Sequence, residues 1–386
     1  MRTLVINPGS ATLKLSVVDG QRVVAARTLE DRHGSHTLAP AEELCRAAGP
    51  IDAVGVRIVH GGDRTGPVTL DNDEVRALEE FIPLAPTHQP RSLAMARMAM
   101  AGYPDTPVIG CFDTSFHKGL PEHARTYPVP REWTGRYRLR RSGFHGLSCA
   151  YALRRTGRLL GVDPGTLNLI CCHVGSGVSV TAITNGHSVD TSMGFTPLDG
   201  AVMATRPGSL DPGLLLHVLR TGRMSAADAE ATLAHRSGLA GMSGTDGDIR
   251  RVLAARADGD HDARLAVAVY LHRLRREIAA ARTSLDGLDA LVFTGGVAEH
   301  QPAPRAELAE GLEHLGVAID PDRNDGTGDR VISPDGTGTR VLVVEAREDL
   351  EIGRQVELAR PHRCATSSSP LPPDASRVRH PKGTAR

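Results

Sequence analysis

Short apolar runs recur along the chain, and each run is four to eight residues long before glycine, proline or charged residues interrupt it. Runs of this length and composition are typical of strands that lie inside a sheet. We therefore predict strands over residues 3–6, 12–18, 53–59, 108–112, 167–174, 178–183, 290–293 and 340–344.

Between the predicted strands, apolar residues recur at the spacing of a helix. The clearest stripe lies within residues 264–282 and consists of Val267, Tyr270, Leu271, Leu274, Ile278 and Ala281. It predicts a helix that packs on a core. Strands that alternate with helices indicate an α/β protein.

The pattern of strands and helices also divides the chain. A final strand near 340–344 and a helix near 347–360 are candidates for returning to the first domain. We assign residues 1–115 and 345–360 to the first domain and residues 116–344 to the second. From residue 361 to 386, prolines and serines with few apolar residues predict a disordered tail.

Two glycine hairpins repeat at a separation of 166 positions. Gly9 and Ser10 of the first hairpin align with Gly175 and Ser176 of the second. Glycine lets backbone N–H groups approach an anion, and serine adds a hydroxyl donor. Two such hairpins, each opening an α/β half, predict two facing phosphate clamps with Lys14 supplying charge at one wall.

The composition excludes some classes of protein. Of the 386 residues, 40% are hydrophobic and 23% are charged, and 45 Lys and Arg balance 45 Asp and Glu. This balance gives no general attraction to nucleic acid or to a membrane surface, and we expect neither as a partner. We see no signal peptide and no apolar run long enough to span a membrane. The six cysteines lack Cys-x-x-Cys spacing, which favours reduced thiols in a cytoplasmic protein.

Nine motifs, in order along residues 4 to about 357, resemble those of the acetokinase family. They are NPGSATLK (7–14), RIVHGG (57–62), APTHQP (85–90), FDTSFH (112–117), GFHG (143–146), HVGSG (173–177), DTSMGFTPL (190–198), TRPG (205–208) and FTGG (293–296). The resemblance implies two duplicated ribonuclease H-like domains of the actin/Hsp70/sugar-kinase type, with a nucleotide cleft between them. It also implies reversible phosphoryl transfer from ATP to acetate, a Mg²⁺ requirement that Mn²⁺ can meet, and a homodimer.

Four residues are the catalytic candidates by this resemblance. Arg57 and Arg206 would hold the substrate carboxylate and the transferring phosphoryl group. His145 would donate a hydrogen bond to a phosphoryl oxygen. The family assigns Asp113 a catalytic role, but a substrate carboxylate is already ionised at neutral pH and needs no general base. We therefore expect Asp113 to orient Arg57 or a magnesium-bound water.

The remaining candidates would bind the acid, the metal and the nucleotide. The resemblance places Val59, Phe144 and Pro197 in an apolar acid pocket, with His88 beside it, and Asn7 and Glu348 at the metal. The residues that would bind the nucleotide are Ser10, Thr12 and Lys14, then His173, Val174, Gly175, Ser176 and Gly177, then Asp248, Ile249 and Arg250, and finally Gly296, Val297, Ala298, Glu299 and His300. A helix from about residue 303 is expected to follow the last of these segments.

Several positions differ from the usual family residues. They include Thr87 in the acid pocket wall, Gln89 beside it, Ser176 in the second loop, and Ala298 and His300 in the third. If position 298 needs a positive φ, alanine costs about 1 kcal/mol there. These departures leave open a propionate or butyrate kinase and a pyrophosphate-dependent variant. A non-catalytic, Hsp70-like nucleotide binder is a more remote alternative.

Overall fold

The computed structural model describes residues 1–9, 12–30 and 38–359. The predicted phosphate contact of Ser10 and the predicted tail at 361–386 lie outside these residues. The described part forms two six-stranded sheets with helices packed on their faces.

The first sheet contains β1 (Arg2–Pro8), β2 (Thr12–Asp19), β3 (Arg22–Glu30), β4 (Ala53–Ile58), β5 (Val68–Thr69) and β6 (Val108–Phe112). The second contains β7 (Leu169–Val174), β8 (Val178–Thr184), β9 (His187–Thr191), β10 (Ala290–Thr294), β11 (Arg330–Val331) and β12 (Arg340–Val343). All eight predicted strands are present. The four that the prediction missed, β3, β5, β9 and β11, are the edge strands of the two sheets. An edge strand is half covered and needs no continuous apolar run.

The described residues contain fifteen α-helices. These are α1 (Ala39–Ala48), α2 (Asn72–Glu79), α3 (Gln89–Gly102), α4 (Glu122–Arg125), α5 (Arg131–Tyr137), α6 (Gly146–Leu160), α7 (Pro212–Thr221), α8 (Ala226–His235), α9 (Gly238–Ser243), α10 (Ile249–Ala257), α11 (His261–Arg282), α12 (Gly296–His300), α13 (Pro302–Glu310), α14 (Pro321–Asn324) and α15 (Glu348–Ala359). The six apolar residues of the predicted stripe are all buried in α11. None of the described helices is long and apolar enough to cross a membrane.

The two sheets share one topology. Their strand orders are β3-β2-β1-β4-β6-β5 and β11-β12-β10-β7-β8-β9. In each sheet an antiparallel three-stranded meander leads into parallel central strands, and an antiparallel strand closes the far edge. The repeated glycine hairpin of the sequence is β1–β2 in one sheet and β7–β8 in the other. The duplication read from the sequence is therefore confirmed at the level of topology.

The C-terminal helix lies on the first sheet, whereas the strand before it does not. A Cβ added at Gly55 of β4 would lie 2.5 Å from Ile352 Cγ2 and 2.8 Å from Val356 Cγ2 of α15. By contrast, β12 pairs in parallel with β10 in the second sheet. Of the two elements considered for a return to the first domain, the helix therefore packs on the first sheet, whereas the strand pairs in the second sheet, as the assignment of residues 116–344 to one domain requires. The limits of the domains stay a prediction.

We predict that Gly55→Ala destabilises the protein, because the close approach of α15 to β4 leaves no room for a methyl group. Overpacking of this kind costs about 1–3 kcal/mol in the free energy of unfolding, measured by urea denaturation. Gly119→Ala is the matched control, because Gly119 is exposed and has open space at its Cβ position. The control should change stability by less than about 0.5 kcal/mol, and an equal effect of both variants would contradict the packing argument.

Two buried histidines outside the strands tie loops to the core. His60 stacks on Phe81 with ring centroids 4.8 Å apart. His117 lies between Ser188 Oγ, 2.9 Å from its Nδ1, and Phe144 O, 2.9 Å from its Nε2. Burial lowers the pKa of each ring to about 4. Both histidines are therefore neutral at neutral pH in the folded protein.

These pKa values predict that stability falls as the solution is acidified. In the unfolded chain these two histidines bind protons as the pH falls through about 6.5. In the folded protein they do not bind them until about pH 4. Acidification between these values therefore favours the unfolded chain, and stability is lost across that window. The pair should cost about 2–3 kcal/mol between pH 7.5 and 5.5 in urea unfolding. His117→Gln should remove one histidine's share of the pH dependence, about 1.4 kcal/mol, and the exposed His261→Gln serves as the control. A stability that does not vary over this range would contradict the assignment.

Candidate active site

Arg57 lies at the centre of a buried cluster of polar side chains. Its Nε and Nη2 donate to the Asp113 carboxylate at 3.0 and 2.6 Å, and its Nη1 donates to Asn7 Oδ1 at 3.2 Å. Glu348 Oε2 accepts from Asn7 Nδ2 at 2.8 Å and lies 3.3 Å from Arg57 Nη1. Three of these residues lie at the carboxyl ends of the adjacent parallel strands β1, β4 and β6, where ligands of α/β proteins collect. The first residue of α15, Glu348, completes the cluster.

The charges in this cluster shift one another's pKa values. Burial by itself would lower the pKa of Arg57, but the carboxylates of Asp113 and Glu348 raise it above its ordinary value. Burial raises the pKa of Asp113, and the Arg57 guanidinium opposes that rise. Burial also acts to raise the pKa of Glu348, but the charge of Arg57, the hydrogen bond from Asn7 and the other nearby positive groups together outweigh it, so that pKa is lowered. Glu348 is therefore ionised at neutral pH, which is the form that a cation requires.

The donor set of Asn7 and Glu348 fits a divalent metal bound with a nucleotide. The pair supplies one amide oxygen and one ionised carboxylate. Among the described residues, no group of three or more His, Cys, Asp or Glu side chains could hold a metal by itself. A hard cation that keeps several waters and binds phosphate needs only one or two protein oxygens. The residues therefore suit a metal that arrives with its phosphates.

Arg206 approaches the cleft from the second half of the chain and has a different environment from Arg57. Its Nη1 donates to Pro197 O at 2.7 Å, and within the described residues this is the one hydrogen bond from its guanidinium. A Cβ added at Gly177 would lie 2.7 Å from Arg206 Nη2. Burial lowers the pKa of Arg206 to about 10, so it remains charged at neutral pH. This half-buried cation has no carboxylate partner in the described part of the chain.

His145 and His173 stack beside this guanidinium. Their ring centroids lie 4.0 Å apart, with 25° between the ring planes. His145 Nδ1 is 3.0 Å from Ser179 Oγ, and His173 Nδ1 is 2.8 Å from Ser148 Oγ. Neither serine was selected from the sequence motifs alone. The hairpin register, which sets His173 opposite Ser179, was the signal that could have found one of them.

The histidines also show that both arginines reach one cleft. Burial lowers the pKa of His145 well below its ordinary value, and the positive charges of Arg57 and Arg206 lower it further. Burial lowers the pKa of His88 to about 3, and the same two guanidinium groups contribute. Burial lowers the pKa of His173 to about 4. All three rings are neutral at neutral pH and lie around the same pair of cations.

The first two predicted phosphate loops are tight turns at the ends of strands. Lys14 pairs with Asn7 across β1 and β2, is exposed, and lies near enough for its charge to lower the pKa of Glu348. Thr12 begins β2 and its carbonyl accepts from Gly9 N–H at 2.8 Å. In the second loop, Gly175 N–H donates to Gly177 O at 2.9 Å. The backbone carbonyl of the exposed Ser176 accepts a hydrogen bond from Ala204 N–H.

The third predicted loop packs against the second. Gly295 has a φ of 88°, and a Cβ there would lie 2.8 Å from Val174 O. The segment after it is not a turn before a later helix, as predicted, but is itself the short helix α12, and α13 begins at Pro302. Ala298 lies inside α12 without a positive φ, so the strain considered for alanine does not arise.

The outer residues of the third loop differ in exposure. Gly296 and His300 are exposed, whereas Val297 is half-buried. Glu299 Oε1 accepts from Gly295 N–H at 2.9 Å and from Ala346 N–H at 2.8 Å. The Glu299 side chain therefore joins this loop to the segment that leads into Glu348.

The predicted adenosine loop lies next to the Arg206 segment. A Cβ at Gly247 would lie 2.3 Å from Ala204 O. Asp248 caps α10 by accepting from Arg250 N–H at 2.9 Å, and its carboxylate also pairs with the exposed Arg250 side chain. The Ile249 side chain is buried in the core of the second half, so it offers little surface to a base. The adenosine contacts of this loop stay a prediction.

The residues of the predicted acid pocket are brought together. Val59 and Phe144 are buried in one hydrophobic cluster with Met193, and Pro197 is buried beside Arg206. Apart from Val59 and Ala85, the buried residues of this cluster belong to the second half of the chain, so these two reach across from the first. The result is a small apolar wall next to a cation.

Two unusual residues near this wall have clear roles in the structure. Thr87 is exposed, and its Oγ1 lies 2.6 Å from His88 Nδ1. Gln89 is fully buried and holds the backbone of His60 from both sides, accepting from its N–H and donating to its carbonyl, each at 2.9 Å. Gln89 therefore supports the loop that follows Val59.

Known proteins resemble the chain over nearly all of its length. The sequence model of the acetokinase family matches residues 37–354. An acetate kinase of Streptomyces coelicolor is 40% identical over 392 aligned positions, which cover 92% of this chain and 96% of the relative. A crystal structure of Porphyromonas gingivalis acetate kinase matches 93% of this chain and 99% of its own, with a TM-score of 0.83 and 31% identity.

A propionate kinase from Francisella tularensis is similarly close, with a TM-score of 0.84 and 29% identity over 92% of this chain and 98% of its own. These structures confirm the two-domain, actin/Hsp70/sugar-kinase-like α/β fold. The match to the family model and to the curated relatives shows that the chain belongs to the acetokinase family.

Proposed function

We propose that this chain is an acetate kinase that transfers the γ-phosphoryl group of ATP to acetate and back. The observation that carries the proposal is the half-buried Arg206 guanidinium, which has no carboxylate partner in the described residues and faces the glycine turn at Gly177. A cleft cation without a counter-ion is a site for an anionic group. Membership of the acetokinase family supports acetate as the acceptor.

The geometry supports direct in-line transfer. An oxygen of the ionised acetate attacks the γ-phosphorus, the new O–P bond forms, and the bond to the bridging oxygen breaks so that ADP leaves with the electron pair. Acetate has a pKa of about 4–5, so no general base is needed. Arg206 and Arg57 neutralise the charge of the carboxylate and the phosphoryl group, and His145 donates to a phosphoryl oxygen. Positioning and charge neutralisation are the main sources of catalysis in this class of reaction.

Asn7 and Glu348 would hold the divalent metal. When bound, that metal neutralises phosphate charge, and the all-oxygen donor set favours Mg²⁺, with Mn²⁺ able to substitute. Asp113 would position Arg57 through their two-point hydrogen bond. Because acetate is already ionised, Asp113 has no proton to remove.

Propionate is the second candidate acid. A similar solved structure is a propionate kinase, and Thr87 at the mouth of the pocket is exposed, so it does not close the apolar wall. One methylene is worth only about 1–3 kcal/mol in such a pocket. We therefore propose acetate as the preferred acid, with propionate accepted less well.

We further propose a cytoplasmic homodimer, as the family resemblance implies. Leu214 and Leu216 of α7 are 50% and 56% exposed and offer apolar surface to a second copy. Light scattering distinguishes a dimer from a monomer.

The proposed reaction predicts acyl phosphate formation from ATP, Mg²⁺ and acetate, which hydroxylamine traps as a coloured hydroxamate. Acetate should give the highest kcat/KM in a panel with propionate and butyrate, and ATP should exceed pyrophosphate as donor. ADP release without hydroxamate would instead favour a nucleotide-binding protein without acid chemistry.

Arg206→Ala should lower turnover at least about a hundredfold, because it removes the unpaired cation from the cleft. Arg76→Ala on the exposed face of α2 is the matched control and should stay within about twofold. Equal activity in both variants would remove Arg206 from the mechanism.

Asp113→Asn tests the positioning role of this carboxylate. The variant weakens the hold on Arg57, so we expect kcat to fall at least about tenfold and the Mg²⁺ requirement to rise. Asp63→Asn, at an exposed residue paired with Lys118, should change neither quantity. A near-normal rate with an unshifted Mg²⁺ requirement would show that Asp113 does not act through Arg57.

A further inference from the structure

Two histidines and two serines form a crossed arrangement in the cleft. Ser148 lies three residues after His145 at the start of α6, yet its Oγ is 2.8 Å from Nδ1 of His173. Ser179 lies opposite His173 in the β7–β8 ladder, yet its Oγ is 3.0 Å from Nδ1 of His145. The serine of α6 therefore bonds to the histidine of β7, and the serine of β8 bonds to the histidine that precedes α6. The stacked rings bring the two pairs together.

The free nitrogens of both rings face the glycine turn of the second loop. A Cβ added at Gly177 would lie 3.3 Å from His145 Nε2, and one at Gly175 would lie 3.7 Å from His173 Nε2. Arg206 Nη2 lies against the same turn. An anion bound at this turn would therefore face one guanidinium and two imidazole nitrogens.

A third serine–histidine pair in the same protein shows which way such a hydrogen bond runs. His117 Nε2 lies 2.9 Å from Phe144 O, and a carbonyl oxygen can only accept. Nε2 of His117 must therefore carry the hydrogen, which leaves Nδ1 of the neutral ring as an acceptor. Ser188, 2.9 Å from that Nδ1, must donate its hydroxyl hydrogen.

We propose that Ser148 and Ser179 are positioning residues that donate to Nδ1 of His173 and His145 and so fix both rings with hydrogen on Nε2. Each ring then presents an N–H donor to phosphoryl oxygens at the glycine turn. The opposite tautomer would point a nitrogen lone pair at an anionic oxygen, which is repulsive. This inference rests on the proposed kinase function for its activity readout, whereas the tautomer itself can be measured without turnover.

The two serines should affect different steps. His145 acts on the transferring phosphoryl group, so Ser179→Ala should lower kcat about tenfold or more with little change in KM for ATP. His173 belongs to the nucleotide loop, so Ser148→Ala should raise KM for ATP about tenfold with a smaller change in kcat. Ser179→Cys keeps the side-chain size with a weaker donor, so it should fall between wild type and alanine.

Thr181→Val is the matched control for both serines. Thr181 lies two residues after Ser179 on the same strand, is equally buried, and bonds to Thr191 at 2.9 Å rather than to a histidine. The control should keep kcat and KM within about twofold of wild type. Serine variants that fold, as judged by circular dichroism, yet behave like Thr181→Val would overturn the proposal.

The direct test is nitrogen NMR of the full chain labelled with ¹⁵N-histidine, with His145→Gln and His173→Gln used for assignment. Wild type should show hydrogen on Nε2 for both rings. Ser179→Ala should change the His145 signals, and Ser148→Ala those of His173. Hydrogen on Nδ1 in wild type would overturn the inference even if the kinase is active. If no acyl phosphate forms at all, the proposed function fails, and the tautomer measurement still decides this inference.

Discussion

The cleft depends on a charge imbalance between two arginines. Arg57 is neutralised by Asp113 and lies close to Glu348, so its position is fixed before any ligand arrives. Arg206 is half-buried, and the carbonyl of Pro197 is the one acceptor of a hydrogen bond from its guanidinium among the described residues. A cation withdrawn from water without a counter-ion is destabilised, and a bound anion offsets that cost. The fold therefore holds one cation in place and leaves the other able to pair with an anion.

The backbone around His145 shows how rigidly this cleft is built. His145 has a φ of 58°, in the left-handed region that costs a non-glycine residue about 1–2 kcal/mol. The next residue, Gly146, donates its N–H to Asp113 O at 2.9 Å, and a Cβ there would lie 2.2 Å from that oxygen. His145 and the carboxylate that holds Arg57 are thus joined through one backbone contact. A strained residue just before α6 therefore lies directly beside the Arg57 cluster.

Much of the fold followed from the sequence, and the failures have a common cause. The central strands carry continuous apolar runs because both faces of a parallel sheet are covered, and all of them were found. The edge strands β3, β5, β9 and β11 were missed because solvent on one side removes that pattern. The apolar run at 340–344 predicts the strand β12 but does not reveal which sheet supplies its hydrogen-bond partners. The same limit applies to Ile249, whose side chain could have faced either a ligand or the core.

The chain by itself determined the duplicated hairpins, the α/β class, the family and the polar residues that cluster around Arg57. These depend on local spacing and on motifs that are contiguous in sequence. Only the tertiary structure decided that Arg57 is paired and Arg206 is not, that Glu299 ties the third loop to the segment before Glu348, and that two serines hold the histidines crosswise. Each of these contacts joins segments that are distant in sequence or cross between elements. Their geometry is fixed by how sheets and helices pack, which no short stretch of sequence encodes.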